Sequence, residues 1–98
     1  MSMSGLGKIK KHRARIVAIA AKYGADHLRA FGSVVRGEDR PGSDIDLLVT
    51  MQPGRDLLDL VGLAQELEEL LHQKMDVVSD EEVSPYLRAR IHQEAVAI

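Results

Sequence analysis

The stretch that decides the fold runs from residue 31 to residue 49 and reads FGSVVRGEDRPGSDIDLLV. It starts at the end of a short predicted strand, His27 to Phe31, which runs into a helical turn from Gly32 to about Gly37. The breakers in residues 38–43 predict a loop. The β-forming run Asp44 to Met51 (DIDLLVTM) then predicts a second strand. These residues therefore predict two strands joined by a turn and a loop.

Helices are predicted on both sides of this unit. Apolar residues recur at three- and four-residue steps from Lys8 to Tyr23, which predicts a first helix that Gly24 ends. The same spacing predicts a second helix from Asp56, its N-cap, to about Gln73. In the second helix the apolar positions include Leu57, Leu60, Val61, Ala64, Leu67, Leu70 and Leu71.

Lys74 to Ser79 predicts a third strand, and Ser84-Pro85 predicts the start of a last helix. The order α-β-α-β-α-β-α indicates an α/β (α+β) domain in which helices pack on a small mixed sheet.

Length and composition predict one cytoplasmic domain spanning residues 1–98. The 98 residues are 45% apolar and 29% charged, as is typical of folded soluble domains. There is no cysteine, which excludes disulfides and thiolate metal sites. The longest apolar run, Ile16 to Ala21, is too short to span a membrane, and no cleavage-site pattern of a signal peptide follows it.

Charge is distributed unevenly along the chain. Residues 1–29 contain seven Lys and Arg and one acid, Asp26, which gives this segment a charge of +6. Residues 30–98 contain six Lys and Arg and fourteen acids, which gives a charge of −8 and a net charge of −2 for the chain. A basic segment of this kind attracts phosphates, nucleic acid or acidic proteins, although lysines at helical spacing usually form a solvated face. The only aromatic residues are Tyr23, Phe31 and Tyr86. With no set of stacking aromatics, we expect no direct binding to nucleic acid.

Two acids, Asp44 and Asp46, are separated by one residue on the second predicted strand. Side chains two apart on a strand project on the same side, so these carboxylates lie close together and raise each other's pKa. A divalent cation removes that conflict, and Mg²⁺ commonly takes one or two carboxylates together with phosphate oxygens and water. Taken alone, the pair is more typical of an ordinary strand start or loop end than of a metal site. The intervening residues Ile45, Leu47 and Val49 are expected to face the core.

Two further features strengthen the metal interpretation. Gly32 and Ser33 lie where a strand meets a helical turn, and there a glycine allows close backbone approach while free amides favour an anion such as phosphate. Asp76 lies within the apolar strand Lys74 to Ser79, where a carboxylate costs free energy unless it is paired, metal-bound or at an exposed edge. A phosphate cradle and three carboxylates indicate phosphoryl or nucleotidyl transfer with two metal ions.

These motifs are similar to a known family. Gly32-Ser33, ten residues and then Asp44-Ile45-Asp46 resemble the signature of the DNA polymerase beta-like nucleotidyltransferase superfamily, and Arg36-Gly37 with Ser43 resembles its minimal nucleotidyltransferase (MNT) branch. The resemblance implies that Asp44, Asp46 and Asp76 hold Mg²⁺ and act in catalysis. It implies that Gly32 and Ser33 bind the triphosphate of ATP, with Arg36 and Ser43 as further nucleotide-binding candidates. Val34 departs from the basic residue frequent after Gly-Ser in the family.

The resemblance also implies a partner. MNT proteins of this size are commonly the antitoxins of HEPN/MNT toxin–antitoxin pairs, and they neutralise a HEPN ribonuclease-type toxin by transferring AMP from ATP to a toxin hydroxyl, typically of tyrosine.

Two other functions stay open. The first is an antitoxin that binds and occludes its toxin without catalysis, to which Tyr86, Leu87 and Ile91 would contribute a contact surface, although we expect an ordinary core face there. The second is the subunit of a small-molecule nucleotidyltransferase of the aminoglycoside-modifying kind, for which the chain leaves little room to build an acceptor pocket. The histidines His12, His27, His72 and His92 are expected at the surface or at caps, because none pairs with another at ligand spacing.

Overall fold

Four strands form a mixed sheet in a computed structural model that describes residues 5–40 and 42–98. Within these residues the strands are β1 (Ala25–Phe31), β2 (Ile45–Met51), β3 (Met75–Ser79) and β4 (Val96–Ala97), in the order β3-β2-β1-β4. β1 is antiparallel to both β2 and β4, whereas β2 and β3 are parallel. The predicted α+β class with a small mixed sheet is confirmed. Pro41, part of the predicted loop, lies outside the described residues.

The helices are α1 (Gly5–Lys11), α2 (Arg13–Lys22), α3 (Ser33–Arg36), α4 (Leu57–Leu71) and α5 (Pro85–Glu94). The core lies where α1, α2 and α4 meet the sheet, and Ile45, Leu47 and Val49 are all fully buried there, as predicted. Because side chains alternate along a strand, Asp46 projects from the opposite face of β2. The apolar side of β2 thus anchors the strand that presents the acid.

The single helix predicted from Lys8 to Tyr23 is two helices. His12 interrupts it with φ −104° and ψ 18°, although the amide of His12 still donates to Lys8 O at 3.1 Å and that of Ile16 donates to His12 O at 2.9 Å. The sequence pattern did not predict this break, because the apolar periodicity continues through it. Ile9 before the break and Ile16 after it are both buried. α2 ends at Lys22, and Gly24 follows two residues later with φ +74°, as expected of a glycine that stops a helix.

A capping box starts α4. The Asp56 side chain accepts from the amides of Leu58 (3.0 Å) and Asp59 (3.2 Å), and the Asp59 carboxylate accepts from the Asp56 amide at 3.1 Å. The N-cap prediction is therefore confirmed. Two of the predicted apolar positions in this helix are not in the core, since Leu57 is 64% exposed and Val61 44%. The buried stripe is Leu60, Leu63, Leu67 and Leu71.

The C-terminal part of the chain adds two elements that local sequence did not predict. A 3₁₀ turn, Asp80–Glu82, follows β3, and β4 extends the sheet at β1. α5 starts as predicted, with the Ser84 hydroxyl accepting from the Leu87 amide at 3.3 Å and Pro85 in the first turn. The expectation that α5 presents a core face is wrong: none of its residues is fully buried, and Tyr86 and Leu87 are 73% and 50% exposed.

No helix in the described part of the chain is long and apolar enough to cross a membrane.

Candidate active site

Strand register places three predicted site elements side by side. Asp46 on β2 is the partner of Phe31 on β1 and of Asp76 on β3. Partnered residues on neighbouring strands project from the same face, so Asp46 and Asp76 present their carboxylates together. Gly32 follows Phe31 directly and therefore lies next to Asp46. The site is at the end of the sheet where β1 finishes and where β2 and β3 begin.

Loop contacts hold the starts of β2 and β3 together. The amide of Ile45 donates to Lys74 O at 2.9 Å, and the Gln73 side-chain amide donates to Ser43 O at 2.6 Å. The Glu68 carboxylate of α4 accepts from the amide of Met75 at 3.0 Å. These bonds fix the parallel register immediately before Asp46 and Asp76, and so they fix the spacing of the two acids.

Asp46 has the most perturbed carboxyl group at this end of the sheet. Its pKa is raised from 3.8 to about 6, first by partial burial and then by the nearby carboxylates of Asp76 and Asp44 and by hydrogen bonding with Asp76. The guanidinium of Arg36 opposes this rise only in part. An acid whose charged form is destabilised by burial and by neighbouring carboxylates is typical of functional sites.

The carboxylates at this site fit a magnesium ion whose coordination shell is completed by the substrate and water. In residues 5–40 and 42–98, no group of three or more His, Cys, Asp or Glu side chains is arranged to hold a metal ion by itself. Asp44 is exposed and precedes β2 instead of lying on it, which corrects the predicted strand start. A Mg²⁺ ion needs only one or two carboxylates when phosphate oxygens and water complete its shell. Asp46 and Asp76 supply such a pair, and a cation that they held would relieve the repulsion that, together with burial, raises the pKa of Asp46.

Gly32 is required for the close approach of the turn to Asp46. It has φ +77° and ψ −151°, a backbone conformation that residues with a Cβ rarely adopt. A Cβ at this position would overlap the Asp46 carboxylate and lie 3.2 Å from its Cγ. Ser33 starts α3, and the amides of Val35 and Arg36 donate back to Gly32 O at 3.1 and 3.2 Å. The predicted strand–glycine–turn arrangement is thus present beside the acids.

A carboxylate that sequence reasoning missed lies on this turn. Glu94, the last residue of α5, accepts from the amide of Gly32 at 2.7 Å and from Arg36 Nη1 at 3.0 and 3.1 Å. The Gly32 amide, followed by the Arg36 guanidinium, lowers the pKa of Glu94. Glu94 is 62 residues from Gly32 in the chain, and no local pattern signals such a contact.

Comparison with known proteins identifies the family. The model of the nucleotidyltransferase domain family matches residues 9–98. This chain belongs to that family. It is 41% identical over 90 residues to a provisionally named protein adenylyltransferase, MJ0435, of Methanocaldococcus jannaschii, covering 92% of this chain and 97% of the relative. It is also 31% identical to protein adenylyltransferase MntA of Thermococcus cleftensis, over 79% of this chain and 78% of that protein.

Solved structures of nucleotidyltransferases share the fold. One, provisionally described as a minimal nucleotidyltransferase, superposes with a TM-score of 0.88 over the whole of both chains at 40% identity. A second is a tri-AMPylated HEPN toxin of Shewanella oneidensis in complex with an MNT antitoxin. It matches with a TM-score of 0.68 at 20% identity, covering 90% of this chain and 69% of that chain. At that identity the second likeness concerns the fold alone.

Three nucleotidyltransferase motif residues have other contacts in this structure. Val34, which replaces a frequently basic residue, is 2% exposed and belongs to the core cluster, so its apolar character fits its packing. The Ser43 hydroxyl accepts from the amide of Arg40 at 2.8 Å and closes the loop before β2. Arg36 pairs with Glu38 at 2.7 Å as well as with Glu94. Nucleotide contacts from Ser43 and Arg36 stay predictions.

Proposed function

We propose that this protein is an MNT-type antitoxin that transfers AMP from ATP to a hydroxyl group, typically of tyrosine, on a HEPN ribonuclease-type toxin. The observation that supports it best is the alignment of Asp46 with Asp76 on β3 and with the end of β1, directly before Gly32. Membership of the nucleotidyltransferase family and the adenylyltransferase relatives add to this support. The activity belongs in the cytoplasm, where ATP is supplied.

Each site residue has a distinct role in the proposed reaction. The amide of Gly32, with Ser33 and Arg36, would bind the triphosphate, and Ser43 would help to position it. Asp46 and Asp76, with Asp44 just before β2, would hold Mg²⁺, two ions in the full site, and Asp76 would also take part in catalysis. When bound, the magnesium supplies positive charge that neutralises the phosphates and favours loss of the hydroxyl proton.

The bond changes balance without a further reactant. The toxin hydroxyl oxygen forms a bond to the α-phosphorus of ATP while the bond from that phosphorus to the bridging oxygen of the β-phosphate breaks. Pyrophosphate leaves, and the hydroxyl proton passes to the carboxylate of Asp76, which is exposed. The exposure of Asp76 suits a macromolecular acceptor that approaches from solvent.

Occlusion of the toxin without catalysis is the second candidate, and the exposed Tyr86 and Leu87 on α5 favour it. Cells that produce a HEPN-type toxin together with this protein distinguish the two functions. The proposed transfer predicts that the wild type restores growth and that Asp44→Asn does not, although both proteins still bind the toxin. Equal protection by the two would reject transfer in favour of occlusion.

A further inference from the structure

Glu94 occupies the position where a bound phosphate is expected. Its carboxylate is held by one backbone amide, that of Gly32 at 2.7 Å, and by one guanidinium, that of Arg36 at 3.0 and 3.1 Å. A backbone amide at a glycine turn and an arginine guanidinium are also donors that bind phosphate oxygens in proteins. The free protein therefore satisfies its phosphate donors with an anion of its own.

We propose that Glu94 is an internal competitor of the ATP triphosphate, so that nucleotide binds only when the Glu94 carboxylate leaves the Gly32 amide and Arg36. This inference rests on the proposed function, because it takes the Gly32 turn as the triphosphate site. A carboxylate and a phosphate cannot occupy the same donors, and two anions side by side repel each other. Glu94 therefore lowers the affinity for nucleotide.

Displacement of Glu94 requires little disruption of the fold. The residue is the last of α5, a helix in which no residue is fully buried, and the Glu94 side chain is 34% exposed. α5 is held to the sheet at a neighbouring position, where His92 Nε2 lies 3.4 Å from Asp80 and Thr50 donates to Asp80 at 2.7 Å. A rotation of the Glu94 side chain would thus free the donors while α5 stays in place.

A cavity beside Glu94 provides room for the displaced side chain and for ligand. It measures about 590 Å³ and opens between the sheet and α5, with Phe31 and Val78 from the sheet and Leu87 and Ile91 from α5 among its lining residues. Arg90 also lines it and contributes to the lowered pKa of Glu94. A carboxylate that rotates away from Gly32 would therefore keep a cationic neighbour.

Binding of inorganic triphosphate and of ATP, measured by isothermal titration calorimetry in EDTA, tests the competition. Glu94→Gln keeps the size of the side chain but removes its charge. Because a hydrogen bond to a charged group contributes substantially more than a neutral one, we expect Glu94→Gln to bind both ligands roughly tenfold more tightly than the wild type. Similar factors for the two ligands would show that Glu94 competes with the phosphates and not with the base.

Glu82→Gln is the matched control, since Glu82 is an exposed acid that lines the same cavity. It removes the same charge from the cavity, and less than a twofold change in affinity is expected. Unchanged or weaker triphosphate binding by Glu94→Gln would overturn the proposal, as would equal tightening by Glu82→Gln.

The outcomes distinguish failure of the Glu94 competition from failure of the proposed function. If Glu94→Gln tightens triphosphate binding but no variant transfers AMP, the competition stands and the transferase function is rejected. If the wild type transfers AMP and Glu94→Gln leaves both affinities unchanged, the transferase function stands and the competition is rejected.

Discussion

Replacing Asp46 with asparagine is expected to stabilise the fold while abolishing AMP transfer. The pKa of Asp46 is raised from 3.8 to about 6, mainly by burial and by Asp76 and Asp44. A rise of that size corresponds to about 3 kcal/mol of unfavourable free energy for the charged form. Because Asp46 is only partly buried, solvent screening reduces this to about 1–2 kcal/mol. Asparagine removes this cost together with a metal ligand.

Urea unfolding as a function of pH measures the gain in stability. An acid whose pKa is raised in the folded state destabilises the fold above that pKa and has no effect below its unfolded value. The advantage of Asp46→Asn should therefore be complete above about pH 6 and vanish below about pH 4. At neutral pH it corresponds to an increase in Tm of about 5–15 °C. Added Mg²⁺ should stabilise the wild type and leave Asp46→Asn unchanged.

Asp26→Asn is the control, because Asp26 is an exposed acid on β1, away from the site. It should match the wild type in Mg²⁺ response and in AMP transfer. The electrostatic reasoning is refuted if Asp46→Asn is no more stable than the wild type at neutral pH, or if its advantage persists unchanged below about pH 4.

Three further substitutions test the turn, the helix cap and the core. Gly32→Ala should abolish AMP transfer and lower Tm, because its Cβ would overlap the Asp46 carboxylate, whereas Gly54→Ala, at φ +88° with open space around it, should retain transfer. Asp56→Ala should destabilise the fold by about 1 kcal/mol in urea unfolding through loss of the α4 cap, and Asp56→Asn should restore most of it. Leu63→Ala, at a fully buried site, should lower the free energy of unfolding by about 2–5 kcal/mol. Val61→Ala, at a site that is 44% exposed, should lower it by less than about 0.5 kcal/mol. A loss below about 1 kcal/mol for Leu63→Ala would contradict the assigned core.

Local sequence predicted the elements that depend on local chemistry. The acid-bearing strand was predicted to within one residue, because β-forming residues run from Ile45 to Met51 between breakers. α4 was predicted to within two residues at its C-terminus, because Asp56 caps it and its apolar residues recur at helical spacing. Which apolar residues lie in the core was less predictable: Leu57 and Val61 share the periodicity of α4, but both are exposed.

Features that depend on distant contacts were missed. β4 is two residues long and exists as a strand only because Val96 and Ala97 pair with Ala30 and Arg29. Glu94 reaches the Gly32 turn from the other end of the chain, and its own neighbours, Gln93 and Ala95, indicate nothing beyond the end of a helix. The family resemblance located the acids and the glycine turn, whereas the anion already bound to that turn became visible only in the structure.

The intact mass of a HEPN-type toxin, measured after incubation with this protein, ATP and Mg²⁺, tests the central claim most directly. The account predicts that the toxin gains one or more AMP units with the wild type and with Asp26→Asn, and none with Asp44→Asn or Asp46→Asn. A toxin of unchanged mass that nevertheless forms a stable complex with the wild type would contradict the claim of AMP transfer.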